Sequence, residues 1–307
     1  MKGMLQKIGI KLGGNKETAT ILRVGLGLVF VIGGYSKLSQ LLDPDRTAAI
    51  VGSYTGGTGY INEFFMNYLF ADSSWISPWS FLTALSAFEL FSGIALVVGL
   101  LVRPLALIYA FLLWTFVFSL PVVTTPGVEP AVKTYTSPAM FVQIRDIALS
   151  GFFFALLAIG SGRFSIDSVI LRNGVNTENV NWNNMGLLLR LSLAAPLIIG
   201  GMFGDYANIA TYATFQPLLV VLGVLLIIGV RVREAAIAVF LVMLWFIASK
   251  ISLDKSLIAN LNGFKREFAM LGVSIVLLAR GGGTAYTPGE LIQTIKYAFS
   301  RKPQQAG

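Results

Sequence analysis

Glu89-Leu-Phe-Ser-Gly-Ile-Ala-Leu-Val-Val-Gly-Leu-Leu-Val-Arg103 is the stretch from which the fold is read. It opens on an acid, runs apolar and closes on a basic turn. Upstream residues extend it to a span over 77–101, long enough for the roughly 20 residues with which a helix crosses a bilayer. A lone acid inside such a run is costly in lipid and is expected to face protein. The pattern returns 130 residues later as Leu219-Val-Val-Leu-Gly-Val-Leu-Leu-Ile-Ile-Gly-Val-Arg-Val-Arg233. There Gly93 meets Gly223, Gly99 meets Gly229 and Arg103 meets Arg233, but Leu219 stands in place of the acid.

Working outward, further apolar stretches lie near 20–38, 104–121, 140–161, 186–204, 214–230, 234–250 and 264–280. The 307 residues are 55% hydrophobic and 12% charged, with mean hydropathy +0.74. Soluble domains carry about 25% charged residues, so this composition suits lipid as solvent. The sequence predicts an all-α integral membrane protein of about eight transmembrane helices. Cys and His are both absent. That removes disulfides, thiol nucleophiles, iron–sulfur clusters and the usual haem, zinc and copper ligands. No metal or haem is expected, so redox chemistry needs a bound organic cofactor or a partner. The net charge of +8 does not point to nucleic acid, because the basic residues gather at helix ends.

Placing both termini in the cytoplasm puts 15 of the 23 Lys and Arg residues on the inner side, including Arg23, Arg103, Arg163, Arg190, Arg231 and Arg280, as the positive-inside rule requires. The expected topology is therefore multi-pass with both termini cytoplasmic, and the expected location a bacterial inner (plasma) membrane. The apolar run Val24–Gly34 is expected to be retained rather than cleaved as a signal. Loops at about 39–76 and 122–139 then face outward. The first carries Phe64, Phe65, Tyr68, Phe70 and Trp75, which read either as an interfacial aromatic belt or as a cap over an outward-facing site. Residues 1–19 read as a cytoplasmic amphipathic N-terminus and 171–185 as a linker. Residues 287–307 read as an amphipathic tail that opens on the capping box Thr287-Pro-Gly-Glu290.

The chain also reads as an internal duplication, with residues 20–170 and 186–286 as its two four-helix repeats. At an offset of 121, Arg145 meets Arg266, Asp146 meets Glu267 and Gly151 meets Gly272. At an offset of 167, Arg23 meets Arg190 and Gly33-Gly34 meets Gly200-Gly201. Four helices per repeat is an even number, so the repeats are expected to be parallel, related by an axis along the membrane normal. The second is reduced, with shorter outer loops.

Helix rise sets the depth of each intramembrane charge. Lys37 stands about 21 Å above Arg23, Glu89 about 18 Å above Leu101 and Arg145 about 22 Å above Gly160. Lys37, Glu89, Arg145 and Asp146 therefore share one level in the outer half of the membrane. Asp205, Lys265, Arg266 and Glu267 lie at similar height in the second repeat. Because Leu219 replaces the acid there, a ligand site is expected in the first repeat. The charges read either as structural ion pairs or as a polar pocket for a membrane-soluble ligand such as quinone, with Asp146 or Glu89 passing protons.

Leu22-Arg-Val-Gly-Leu-Gly-Leu-Val-Phe30, leading to Gly33-Gly-Tyr-Ser-Lys-Leu38, resembles the first helix of the DoxX/DoxD membrane protein family. The stretch Glu89–Arg103 resembles the family's second helix, and Gly160-Ser-Gly-Arg-Phe-Ser-Ile-Asp167 its ending after the fourth. The long insert between the first two helices is more similar to the DoxD branch. The resemblance implies a membrane subunit of a respiratory or sulfur-redox system, quinone-associated and similar to thiosulfate:quinone oxidoreductase, with an outer-face redox or complex partner subunit. Glu89, Arg145 and Asp146 are then the candidate catalytic residues, and Lys37 with Arg145 the candidate quinone-binding ones. A non-catalytic scaffold subunit is the alternative. A small-molecule transporter is a third, with Pro196 and Pro217 as candidate helix breaks.

Overall fold

The structure is a computed structural model that describes residues 14–56, 59–71, 75–120, 126–127, 129, 133–134, 137–170, 180–203 and 216–293. Eight helices coincide with the expected spans. They are α1 (Asn15–Leu41), α4 (Pro78–Val98), α5 (Val102–Ser119), α6 (Ala139–Ile159), α8 (Trp182–Phe203), α9 (Gln216–Ile228), α10 (Val232–Lys250) and α12 (Glu267–Arg280). The short helices α2 (Pro44–Thr55) and α3 (Glu63–Tyr68) lie in the first loop, α7 (Ile166–Ile170) follows α6, and α11 (Leu257–Gly263) precedes α12. A two-residue antiparallel pairing, Lys133 with Pro138 and Thr134 with Ser137, precedes α6.

Six of the eight helices are long and apolar enough to cross a membrane. The 13 described residues of α9 and the 14 of α12 rise only about 20 Å, short of the ~30 Å hydrocarbon core. At the charged end α12 is extended by the turn at 264–266 and by α11. Pro196 sits inside α8 without ending it, and Pro217 falls in the first turn of α9, where its missing N–H costs little. Neither breaks a helix, which removes the feature that favoured transport.

Hydropathy makes these segments helices in lipid, where each backbone polar group must be satisfied within the segment. Local chemistry sets their ends. Ser77 and Ser80 form a reciprocal capping box at the start of α4, with Pro78 in its first turn. The helix ends on Gly99 in the left-handed conformation, at φ 77°. The carboxylate of Asp167 accepts from the backbone N–H groups of Leu101 (2.8 Å) and Val102 (2.9 Å), which caps α5. Buried Arg23 donates to the carbonyls of Leu96, Val97, Arg163 and Phe164, satisfying the orphan C-terminal acceptors of α4. Buried Arg190 donates likewise to Ile227 (3.5 Å) and Ala285 (2.6 Å).

Packing follows one pattern twice. Helix α1 packs on α4 and α5 on α6; α8 packs on α9 and α10 on α12. Across the middle, α1 packs on α12 and α6 on α8. Helices α1, α6, α8 and α12 thus form the centre, while α4, α5, α9 and α10 flank them and expose more apolar side chains. Positive φ recurs in step, at Gly99 and Gly229, Leu101 and Arg231, Gly160 and Gly281, Gly162 and Gly283, and Phe164 and Tyr286.

Close helix contact in lipid needs small residues. A Cβ on Gly34 of α1 would lie 2.5 Å from the Leu90 nitrogen of α4, and one on Gly93 of α4 2.6 Å from the Val31 nitrogen. The capping box at 287–290 takes a modified form. The Glu290 N–H donates to Thr287 Oγ1 (3.3 Å), and the Glu290 carboxylate accepts from the Tyr286 N–H (2.5 Å). The amphipathic character expected of residues 1–13 and 294–307 lies outside the described residues.

Candidate functional site

A cavity of about 480 Å³ opens between α1, α4, α5 and α6, at the end of the bundle that carries α2 and α3. Its deeper wall is apolar, formed by Val29, Phe30, Leu112, Leu113 and Leu149 among others. Beneath it Phe30 packs at a tilt against Tyr109, whose ring stacks on Phe153. The Tyr109 hydroxyl shares a hydrogen bond with Ser92 Oγ at 2.6 Å, one turn below Glu89. The volume lies within the roughly 300–1,000 Å³ of small-molecule pockets.

Polar groups gather at the other end. Lys37 of α1 and Glu89 of α4 form an ion pair on the wall, with the Glu89 side chain almost fully buried. Asp146 of α6, buried, pairs with Arg266 through Nε at 3.5 Å. Arg266 also lies within electrostatic reach of the Tyr60 phenol. Burial, reinforced by the nearby Asp146 charge, pushes the Tyr60 phenol up to about 12, so it is a neutral hydroxyl at neutral pH. Lys265 completes the wall, donating to Asn262 Oδ1 at 2.7 Å.

The first loop closes over this end. Tyr54, Tyr60, Ile61 and Phe65 line the cavity. Ile61 also packs with Leu41, Ile50 and Leu82 in a small core of its own. Asn62 fastens the loop twice. Its carbonyl oxygen caps α3 at the Phe65 N–H (3.2 Å), and its amide donates to the Ser119 carbonyl at the end of α5 (3.0 Å). Phe64, Tyr68 and Trp75 point outward and are exposed. The loop's aromatics therefore divide between cap and exposed surface.

Three of the four residues singled out by depth, Lys37, Glu89 and Asp146, line this one cavity. Arg145 does not. It is buried on the adjacent face of α6, where its Nε donates to the Phe141 carbonyl at 3.1 Å. There it faces Glu267 and Lys250, both within electrostatic reach. Neighbours on a helix diverge by about 100°, and here that step turns Arg145 off the wall that Asp146 lines. Lys265 and Arg266 enter the wall from the second half of the chain, so the site is not confined to the first four long helices. Tyr60, in the first loop, and Asn262, in the short helix α11, gave no signal in the sequence, being polar residues outside any periodic span. Arg266 had one in its alignment with Arg145. Asp205 lies outside the described residues.

The DoxX family model matches residues 18–120 of the chain. The match covers α1 to α5, with Lys37, Glu89 and the capping loop, and ends before Asp146, Lys265 and Arg266. No curated protein and no solved structure matches the chain.

Proposed function

We propose that this DoxX-domain membrane protein is a quinone-binding subunit of a respiratory or sulfur-redox system, similar to thiosulfate:quinone oxidoreductase. In this reading it sits in a bacterial inner membrane with both termini cytoplasmic and the cavity toward the outer face. A tandem duplication brought its two halves together.

The observation that carries the reading is the division of the cavity into an apolar depth and a charged, hydrogen-bonding end beneath an aromatic cap. That lining matches an apolar ring and tail with polar oxygens at one side. A bound quinone supplies a two-electron, two-proton acceptor. Tyr60, Lys265 and Lys37 are the donors positioned to hold its oxygens. Asp146 and Glu89 are the carboxylates positioned to hold or release a proton beside it. The cap and the apolar wall exclude water. With no Cys or His in the chain, electrons must arrive from a partner subunit at the outer face.

The test is gentle purification from native membranes followed by mass spectrometry of bound small molecules. Quinone in stoichiometric amount is expected in the wild type. Leu85→Trp, which fills the wall, should remove it. No quinone in the wild type sinks the reading.

The ion pairs favour one alternative. Asp146–Arg266 joins residues 120 positions apart across the middle of the bundle, as a scaffold subunit would need. In that case Glu89→Gln impairs assembly of the larger complex without altering quinone turnover in what does assemble.

A further inference from the structure

The charges on the cavity wall do not cancel. Lys37 is matched by Glu89 and Arg266 by Asp146. Lys265 is left over, and among the described residues no carboxylate lies within ion-pair distance of it. Its one hydrogen-bond partner there is a neutral amide, Asn262.

The fold also makes room for this side chain. A Cβ on Gly33 of α1 would stand 3.2 Å from Lys265 Nζ and 3.4 and 3.5 Å from its Cε and Cδ. The glycine at 33 lets the lysine lie close against α1, with its ammonium on the wall that Lys37 and Glu89 share. A partly buried ammonium without its own counter-charge is costly. A ligand that brings an anion offsets that cost, and a neutral one does not.

From the juxtaposition of Lys265, Gly33 and the apolar depth we infer that the cavity selects amphiphiles with a single anionic oxygen headgroup, the headgroup on Lys265 and the apolar body between α1, α4, α5 and α6. This rests on the reading of the cavity as a ligand site and narrows its ligand class. Two sources share the chemistry, an ionised hydroxyquinone and the carboxylate of a fatty acid.

The experiment is competition binding by native mass spectrometry on the full chain in nanodiscs, with two matched probe pairs. One pair is palmitate and hexadecanol. The other is an alkyl hydroxynaphthoquinone, ionised at neutral pH, and its methyl ether. In at least one pair the anion should bind more tightly by about tenfold or more, the range of one charge-assisted hydrogen bond. Lys265→Met should bring that ratio close to one. Its apparent Tm without ligand should not fall, because an unmatched charge has been removed. Lys265→Gln, which keeps a polar side chain but removes the charge, should lower the ratio likewise, and it decides the matter if Lys265→Met does not fold.

Ratios near one in the wild type, or unchanged in Lys265→Met, overturn the inference. The two readings separate cleanly. Tight binding of the methyl ether, equal to that of its acid, supports a quinone site and overturns the anionic headgroup. Palmitate preference with neither naphthoquinone bound supports the anionic headgroup and overturns the quinone.

Discussion

Single residues decide how the cavity balances its charge. Glu89 is the partner that keeps the Lys37 ammonium tolerable inside the membrane. Glu89→Gln should therefore lower stability by about 2 kcal/mol, below the 3–5 of a fully buried pair because Lys37 is partly exposed. Adding Lys37→Met should recover most of that loss. A double-mutant cycle on apparent Tm in nanodiscs measures the coupling, and simple additivity would show that the pair is not a unit. Arg145 makes a contrasting case. Lying behind the wall against Glu267 and Lys250, it should matter to stability and not to occupancy. Arg145→Met should lower the apparent Tm while leaving bound ligand per protein unchanged in mass spectrometry. Loss of ligand with unchanged Tm would return Arg145 to the site.

At the scale of elements, helix ends and helix crossings carry the fold. The Arg23 guanidinium holds four carbonyls at the junction of α4 with the segment after α6. Arg23→Met strands those acceptors and should cost about 3 kcal/mol or more, since bonds to a charged group contribute about 1.5–3 each. Thermal unfolding in mild detergent reads it, and Arg190→Met should show the smaller effect of two bonds. The α1–α4 crossing depends on backbone approach at Gly34 and Gly93. A methyl at Gly34 meets main-chain atoms that cannot rotate away, so Gly34→Ala should cost about 1–3 kcal/mol by overpacking. The capping loop is held through Asn62 on both α3 and the end of α5. Asn62→Ala should quicken ligand release more than it lowers overall stability, which dissociation rates measured beside Tm will separate.

On the scale of the whole molecule, the two halves share a polar wall rather than owning separate ones. Lys265 and Arg266 reach the cavity from α11 and the turn before α12, and α1–α12 and α6–α8 are the joints that bring them there. Residues 1–170 and 171–307, co-expressed as two chains, should copurify and retain ligand. Residues 1–170 alone should fold less stably and bind none, because they lack two of the three cations on the wall. Ligand retained by the first segment alone would show that the second half only buttresses it.

The membrane character, the eight helices and the shared depth of Lys37, Glu89 and Asp146 were legible in the sequence, because each depends on local quantities. Hydropathy is read over some twenty residues, and depth follows from a constant rise per residue. The turn glycines and the alignment of Arg23 with Arg190 were legible for the same reason, since a chain must end its helices locally. Tertiary structure alone decided which charges meet. Depth leaves the azimuth of a side chain open, and a step of one residue turned Arg145 away from the cavity that Asp146 faces. Packing of α12 on α1, across more than two hundred residues of chain, set Lys265 against Gly33. No periodicity in either segment encodes that meeting.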